Sequence, residues 1–314
     1  MGNTSSRRRF DFVQEVTGFD EETGVFQVIL KPDPRRYKWK TVKGKRYLYD
    51  MLDNARFSEP VLRQLAEAMN DQPIYYQQQK IGDAGIYIQS RIPQVRNALE
   101  GKFPRPTFED KSEEFLQSLG TDKLEFVIMS VDIVGSTKLS TTLPPELYSR
   151  VIATVLFELS EVVPQFHGHV LKYTGDGIIA YFPAPSFISK NDLAIDCALT
   201  IRGLVRKAID PVLKERGIDP IDIRIGLDSG EAMIATIGSS EAKQHKDIIG
   251  AIVNLACKIQ ARAGIGGIAL GDVTCRNLHI AWRQMCEPLD VGADWQYTDE
   301  NGDSYKVHQI KFSD

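Results

Sequence analysis

Glu125-Phe-Val-Ile-Met-Ser-Val-Asp-Ile-Val-Gly-Ser-Thr137 is the stretch from which the rest of the chain is read. Its apolar run has the length and composition of a buried strand, and it ends in a carboxylate, Asp132. A carboxylate at the end of a core strand is costly unless a cation or several donors meet it. Gly135-Ser136-Thr137 follows, small, turn-prone and hydroxyl-bearing, and then a helix-like pattern begins. Backbone N–H groups at the start of a helix form a natural anion cradle. A metal-binding carboxylate beside a phosphate cradle points to nucleotide chemistry.

A second stretch adds to this reading. Gly168-His-Val-Leu-Lys-Tyr-Thr-Gly-Asp-Gly-Ile-Ile-Ala-Tyr-Phe182 contains two apolar strands around a tight turn, Thr174-Gly175-Asp176-Gly177. Glycine on both sides of Asp176 permits positive φ and puts the carboxylate at the hairpin tip. An Asp-Gly hairpin alone is only a turn. Downstream of Asp132 it becomes the second carboxylate of a pair that could hold two Mg²⁺ or Mn²⁺ ions.

The 314 residues suffice for one large domain or two ordinary ones. With 42% hydrophobic and 25% charged residues, the composition is that of a soluble globular protein. The net charge of −4 gives no reason to expect a nucleic-acid partner. Cys197, Cys257, Cys275 and Cys286 form no CxxC pair, which argues for a reducing, cytoplasmic setting and against a zinc site. No apolar run reaches the length of a membrane span, so a membrane association is not expected. Met1-Gly2-Asn3-Thr4-Ser5-Ser6 with Arg7-Arg8-Arg9 fits a loose myristoylation pattern but reads better as a solvated tail.

Along the chain, residues 1–100 read as a small α+β regulatory domain. It contains a hairpin turning at Glu21–Gly24 and a helix opened by Ser58. Residues 101–120 read as a linker and a helix over 108–119. From 121 to 280 a strand, a helix near 143–163, the hairpin 169–182, a helix near 191–209, a hairpin 222–237 turning at Ser229-Gly230, a helix 252–263 and a short strand 267–270 are expected. That order predicts an α+β, ferredoxin-like βαββαβ sheet with helices on one face. Residues 281–314 form a C-terminal extension.

Four segments together resemble the class III adenylyl/guanylyl cyclases. They are Asp132-Ile-Val-Gly-Ser-Thr137 with its strand, Lys172-Tyr-Thr-Gly-Asp-Gly177, Arg224-Ile-Gly-Leu-Asp-Ser-Gly230, and Asp247-Ile-Ile-Gly-Ala-Ile-Val-Asn-Leu-Ala256. They occur in the family's order across about half the chain. The resemblance implies a head-to-tail homodimer whose active sites are built from both chains. It implies that Asp132 and Asp176, with the backbone carbonyl of Ile133, bind two Mn²⁺ or Mg²⁺ ions per site. Gly135, Ser136 and Thr137 would cradle the triphosphate, Lys172 and Asp247 would read the base, and Asn254 would orient the ribose. Where the family has an arginine that neutralises charge at the reacting phosphate, this chain has Lys258. Lysine lacks the bidentate fork, and Arg262 lies one turn further on.

The activity implied is that of a phosphorus–oxygen lyase converting a nucleoside triphosphate to a 3′,5′-cyclic nucleotide and pyrophosphate. A lysine donor beside an aspartate acceptor fits the edge of adenine or cytosine, and the family at large favours ATP. The short layout instead resembles the bacterial pyrimidine cyclases of Pycsar antiphage systems, which make cyclic CMP or cyclic UMP for a neighbouring effector. The reading leans to that side, with cytosine and uracil not separated. Two alternatives stand beside it: an adenylate cyclase, and a non-catalytic cyclase-like module for dimerisation or nucleotide sensing. Lys258 in place of arginine supports the last, and the retained carboxylates oppose it.

Overall fold

Two consecutive left-handed residues, Lys43 (φ 49°) and Gly44 (φ 74°), turn the chain sharply after Val42. This is the backbone that a two-residue hairpin requires. Around it lie β3 (Tyr37–Val42) and β4 (Lys45–Asp50), preceded by the antiparallel hairpin of β1 (Phe12–Asp20) and β2 (Val25–Pro32) and followed by β5 (Arg56–Ser58) and helix α1 (Glu59–Met69). The computed structural model describes residues 9–22, 25–69, 80–107, 112–119, 123–183, 189–240 and 244–312. It divides the chain into two units, Met1–Gln78 with His279–Ala281, and Gln79–Leu278 with Trp282–Asp314. The tail 1–8 and the start of the expected 108–119 helix lie outside the described residues.

A buried cation organises the first unit. Arg36 is 1% exposed. Its guanidinium donates to Asp50 Oδ2 at 2.8 and 3.0 Å, to Asp53 Oδ2 at 2.9 Å and to Asp11 Oδ2 at 3.1 Å. A buried guanidinium is tolerated because carboxylates surround it.

The second unit opens with α2 (Ala84–Leu99), capped by Asp83, whose Oδ1 accepts from Ile86 N at 2.9 Å. The sequence reading placed these residues in the first domain. Instead Ile88, Val95 and Leu99 enter the second unit's core, and Arg91 makes a two-pronged ion pair with buried Glu158 at 2.7 and 2.9 Å. The elements that follow are α3 (Ser112–Ser118), β6 (Lys123–Val134), α4 (Ser136–Thr142), α5 (Pro145–Val162), β7 (His169–Tyr173), β8 (Gly177–Phe182), α6 (Ser189–Leu204), α7 (Asp210–Glu215), β9 (Asp222–Ile237), β10 (His245–Ile249) and α8 (Ala251–Arg262). The chain closes with β11 (Ile268–Gly271), α9 (Asp272–Asn277), α10 (Ile280–Arg283), β12 (Cys286–Pro288) and β13 (Val307–Ile310). Among the described residues no helix is long and apolar enough to cross a membrane.

The sheet order is β12-β13-β11-β9-β6-β8-β7, with β10 paired to β9. The run β9-β6-β8-β7 is the ferredoxin-like order expected from βαββαβ. The extension adds β12 and β13 beyond it, and β11 runs parallel to β9. Along β6, Val127, Met129, Val131 and Ile133 pack under α2, α5 and α6, while Phe126 and Ile128 pack under Leu116 of α3 and Ile252 and Ala256 of α8. Helices therefore cover both faces, not one. A strand buried on both sides carries a continuous apolar run rather than an alternating one.

The expected turn at Ser229-Gly230 does not form. Residues 222–237 are one sixteen-residue strand, and β10 is its hairpin partner. The glycines serve the helix above. A Cβ on Gly226 would lie 2.3 Å from Ala256 O and from Gln260 N, and one on Gly230 would lie 2.7 Å from Ile252 Cγ2. Ser229 is buried and bonds Asn191 and Thr274.

The extension is bound by polar contacts. Tyr305 donates to buried Asp228 Oδ1 at 2.7 Å, and burial pushes that carboxyl up to about 7. His308 Nε2 lies 3.0 Å from Asp272 Oδ1. Burial opposes the imidazolium, but the bonds to Asp272 and Cys275 outweigh it and push His308 up to about 9.

Two outcomes follow for stability. Gly226→Ala is expected to destabilise the second unit by about 1–3 kcal/mol, read as a lowered melting temperature, because helix backbone cannot yield as a side-chain tip can. His308 is raised above its ordinary 6.5, so its contribution is complete below that pH and is lost as pH rises through about 9. Melting curves of wild type and His308→Gln should differ by on the order of 2 kcal/mol at mildly acid pH and converge in alkali.

Candidate active site

The ladder between β6, β8 and β9 sets the first half of the site. It places Asp132 opposite Gly177 on one side and opposite Arg224 on the other. Gly177 has no room for a side chain, since a Cβ there would be 2.3 Å from Val131 O. The hairpin before it is closed by Thr174 N–H donating to Gly177 O at 2.9 Å, with Gly175 at φ 91°. Asp176 is thereby held against Asp132. Burial and then the Asp176 carboxylate push the Asp132 carboxyl above its ordinary value, while Arg224 pulls it down.

Two carboxylates forced together at a strand end repel unless a cation joins them. Their oxygens are hard ligands that suit Mg²⁺ or Mn²⁺. Among the described residues no group of three or more His, Cys, Asp or Glu side chains forms a metal cage. Any ion here would draw further ligands from backbone, water or a bound phosphate. Ile133 has only its backbone to offer, because its side chain is 2% exposed and lies in the core.

Arg224 was not among the expected site residues. It is partly buried, and its Nε has no hydrogen-bond partner. The register with Asp132 brings it to the site, and register across two distant strands is not visible in a single sequence.

Gly135 is left-handed (φ 75°, ψ 18°) immediately before α4. The turn gives Ser136 and Thr137 the first positions of the helix, where N–H groups lack intrahelical acceptors. No described group pairs with their hydroxyls.

The second half of the site lies on other elements. Lys172 of β7 donates to Asp247 Oδ2 of β10 at 2.5 Å, and Asp247 Oδ1 accepts from Ile248 N at 2.8 Å. Helix α3 lies against both of these strands. Asn254 and Lys258 are exposed one turn apart on α8, which puts them on one face. Arg262 on the next turn is engaged elsewhere, by Asp294 Oδ2 at 2.5 Å and by the Trp295 ring at 6.0 Å. No hydrogen bond or ion pair among the described residues joins Asp132 or Asp176 to Lys172, Asp247, Asn254 or Lys258.

Comparison with known proteins matches these elements. Residues 121–293 fit the family described as Adenylate and Guanylate cyclase catalytic domain. A cytidylate cyclase of Escherichia coli is 29% identical over 159 residues, 48% of this chain and 34% of its own. An adenylate cyclase of Anabaena cylindrica is 29% identical over 189 residues, 57% of this chain and 36% of its own. A uridylate cyclase of Burkholderia cepacia is 28% identical over 141 residues, 44% of this chain and 59% of its own. The chain thus spans about a third of the length of the first two. The crystal structure of the adenylyl cyclase CyaB from P. aeruginosa shares the fold, with a TM-score of 0.53 and 22% identity over 62% of this chain and 97% of that one. With the matched region covering more than half of its residues, the chain belongs to the family of adenylate and guanylate cyclase catalytic domains.

Proposed function

We propose that this chain is a nucleotidyl cyclase that closes a nucleoside triphosphate into a 3′,5′-cyclic nucleotide, with a pyrimidine as its base. The observation that carries the reading is the Asp132–Asp176 pair, faced by Arg224 at the end of β6 and β9. In the reaction the ribose 3′-oxygen bonds to the α-phosphorus in line. The bond from that phosphorus to the bridging oxygen breaks, pyrophosphate leaves and the hydroxyl proton is released. Two Mg²⁺ or Mn²⁺ ions between Asp132, the Ile133 carbonyl and Asp176 would acidify the 3′-hydroxyl and neutralise the departing charge.

The remaining work falls to the chain's own groups. The N–H groups and hydroxyls of Ser136 and Thr137 hold the phosphates, and Arg224 balances the carboxylates. Asn254 orients the ribose. Lys258 supplies a point charge at the reacting phosphate, without arginine's fork. These groups position and neutralise; none bonds covalently to substrate.

A head-to-tail homodimer with shared sites, which the family resemblance implies, is part of this reading. The β9–β10 arm supports it. Met233 and Ile249 are paired across the arm and are 53% and 50% exposed, with Ile237 nearby at 38%. Such an apolar strip is suited to cover by a second copy.

The Lys172–Asp247 pair offers one donor and one acceptor. Cytosine presents the matching ring nitrogen and amine, and adenine presents the same edge. Similarity to a cytidylate and a uridylate cyclase supports the pyrimidine side. Similarity to an adenylate cyclase keeps ATP as the second reading. On the pyrimidine reading the product is a second messenger for a cyclic-nucleotide-responsive effector in antiphage defence, as the layout's resemblance to Pycsar cyclases suggests.

Incubating purified protein with Mn²⁺ and each of ATP, GTP, CTP and UTP, and separating products against cyclic standards, tests this. Cyclic CMP or cyclic UMP is expected. Cyclic AMP alone would make it an adenylate cyclase, and silence with all four would favour a non-catalytic module. Asp132→Asn should lower kcat by about 10³-fold and abolish the rise in melting temperature that Mn²⁺ gives the wild type. Lys258→Ala should lower kcat by about 10-fold or more with little change in KM. Mixing the Asp132→Asn and Lys258→Ala chains should restore roughly a quarter of wild-type activity by random pairing, because each mixed dimer retains one intact site. Absence of any restoration would sink the shared-site arrangement.

A further inference from the structure

We propose that the solvent face of the β3–β4–β5 sheet binds a single-stranded polynucleotide. Register places Lys38 beside Tyr49, Lys40 beside Tyr47, and Arg56 beside Tyr49 on the next strand, so these side chains share one face with Lys45. The opposite face turns inward, with Tyr37 at 4% and Leu48 at 1% exposure. Lys38, Lys40, Lys45 and Arg56 are all exposed, and none forms an ion pair with any described residue. Instead Lys40 Nζ sits 4.9 Å over the Tyr49 ring, and the Arg56 guanidinium 5.3 Å over the Tyr47 ring.

Charge is segregated within this unit. From residue 34 to residue 49 the sequence has seven Lys or Arg and no Asp or Glu, in a chain whose net charge is −4. Two of the seven, Arg35 and Arg36, are paired with acids; Lys38, Lys40, Lys43, Lys45 and Arg46 form no ion pair with any described residue. Asp11, Asp50 and Asp53 are held by Arg36, which is itself buried, and Asp33 is held by Arg35 at 2.6 Å.

Cations on three adjacent strands with aromatic rings between them match a charged backbone that carries flat bases. Bases stack on such rings only when unpaired. Charge complementarity and the half-buried Tyr47 and Tyr49 rings on the same face therefore point to a single strand over a duplex. The net charge of the whole chain hides this, because it averages over an acidic remainder. The inference does not depend on the cyclase reading.

The test uses the full chain and a fluorescein-labelled thymidine 20-mer, followed by anisotropy across a salt series. Saturable binding is expected, with log affinity falling against log salt at a slope of about −2 to −3, four phosphate contacts at roughly 0.7 each. Tyr47→Ala with Tyr49→Ala should weaken binding about 10-fold or more and leave the slope unchanged. Tyr47→Phe with Tyr49→Phe should bind as wild type, which separates stacking from misfolding. Lys38→Gln, Lys40→Gln and Arg56→Gln together should flatten the slope by about 2 while the melting temperature holds. The proposal is overturned by absence of binding at low salt, by equal affinity for the duplexed 20-mer, or by indifference to these substitutions. Binding to phosphatidylserine vesicles without binding to the 20-mer would likewise overturn it.

Discussion

Every one of the twelve residues of β6 has a partner in β9, from Lys123 opposite Met233 to Val134 opposite Asp222. The catalytic-type unit depends on this ladder. It fixes a two-sided strand at the centre of the sheet and gives α5 and α6 one face and α8 the other. It also decides what stands beside Asp132. A slip of one residue would turn Asp132 into the core and Ile133 outward. It would also exchange Arg224 for a hydrophobic neighbour. The apolar residues that fix the register, Val127, Met129 and Val131 on one side and Phe126 and Ile128 on the other, thereby position the carboxylate.

The same ladder explains the glycines. Gly226 and Gly230 lie in the middle of β9 because α8 crosses it at backbone contact. Close approach brings α8, with Asn254 and Lys258 on its outer face, to a fixed height above the sheet. Gly177 does the equivalent for Asp176 by letting the hairpin close against Val131. Small residues here set distances between charged ones. This differs from the usual role of glycine as a turn former, and it is why a turn read at Ser229-Gly230 is absent.

What could be read from the sequence was what is local. The strand ending in Asp132, the Thr174–Gly177 turn, the helix near 252–263 and the turn-prone Gly135-Ser136-Thr137 all follow from composition over a few residues. What was hidden depends on pairing between distant segments. Arg224 enters the site only through its register with Asp132. α2 belongs to the second unit through Ile88, Val95 and Leu99 in its core and through Arg91 paired with Glu158, far apart in sequence. The extension joins the sheet through Tyr305 reaching Asp228 and His308 reaching Asp272. A single chain gives no signal for such partners except the burial cost of the polar groups involved.

The two units solve the problem of charge in opposite ways. In the first, one guanidinium gathers three carboxylates inside, while Lys38, Lys40 and Lys45 stay exposed on one face of the sheet. In the second, Asp132 and Asp176 are held together and, among the described residues, Arg224 is the cation that draws the Asp132 carboxyl down. An arginine–carboxylate cluster that closes on itself stabilises its surroundings and does nothing more. Two carboxylates held together with a deficit of positive charge repel each other, and a divalent cation between them would relieve that repulsion.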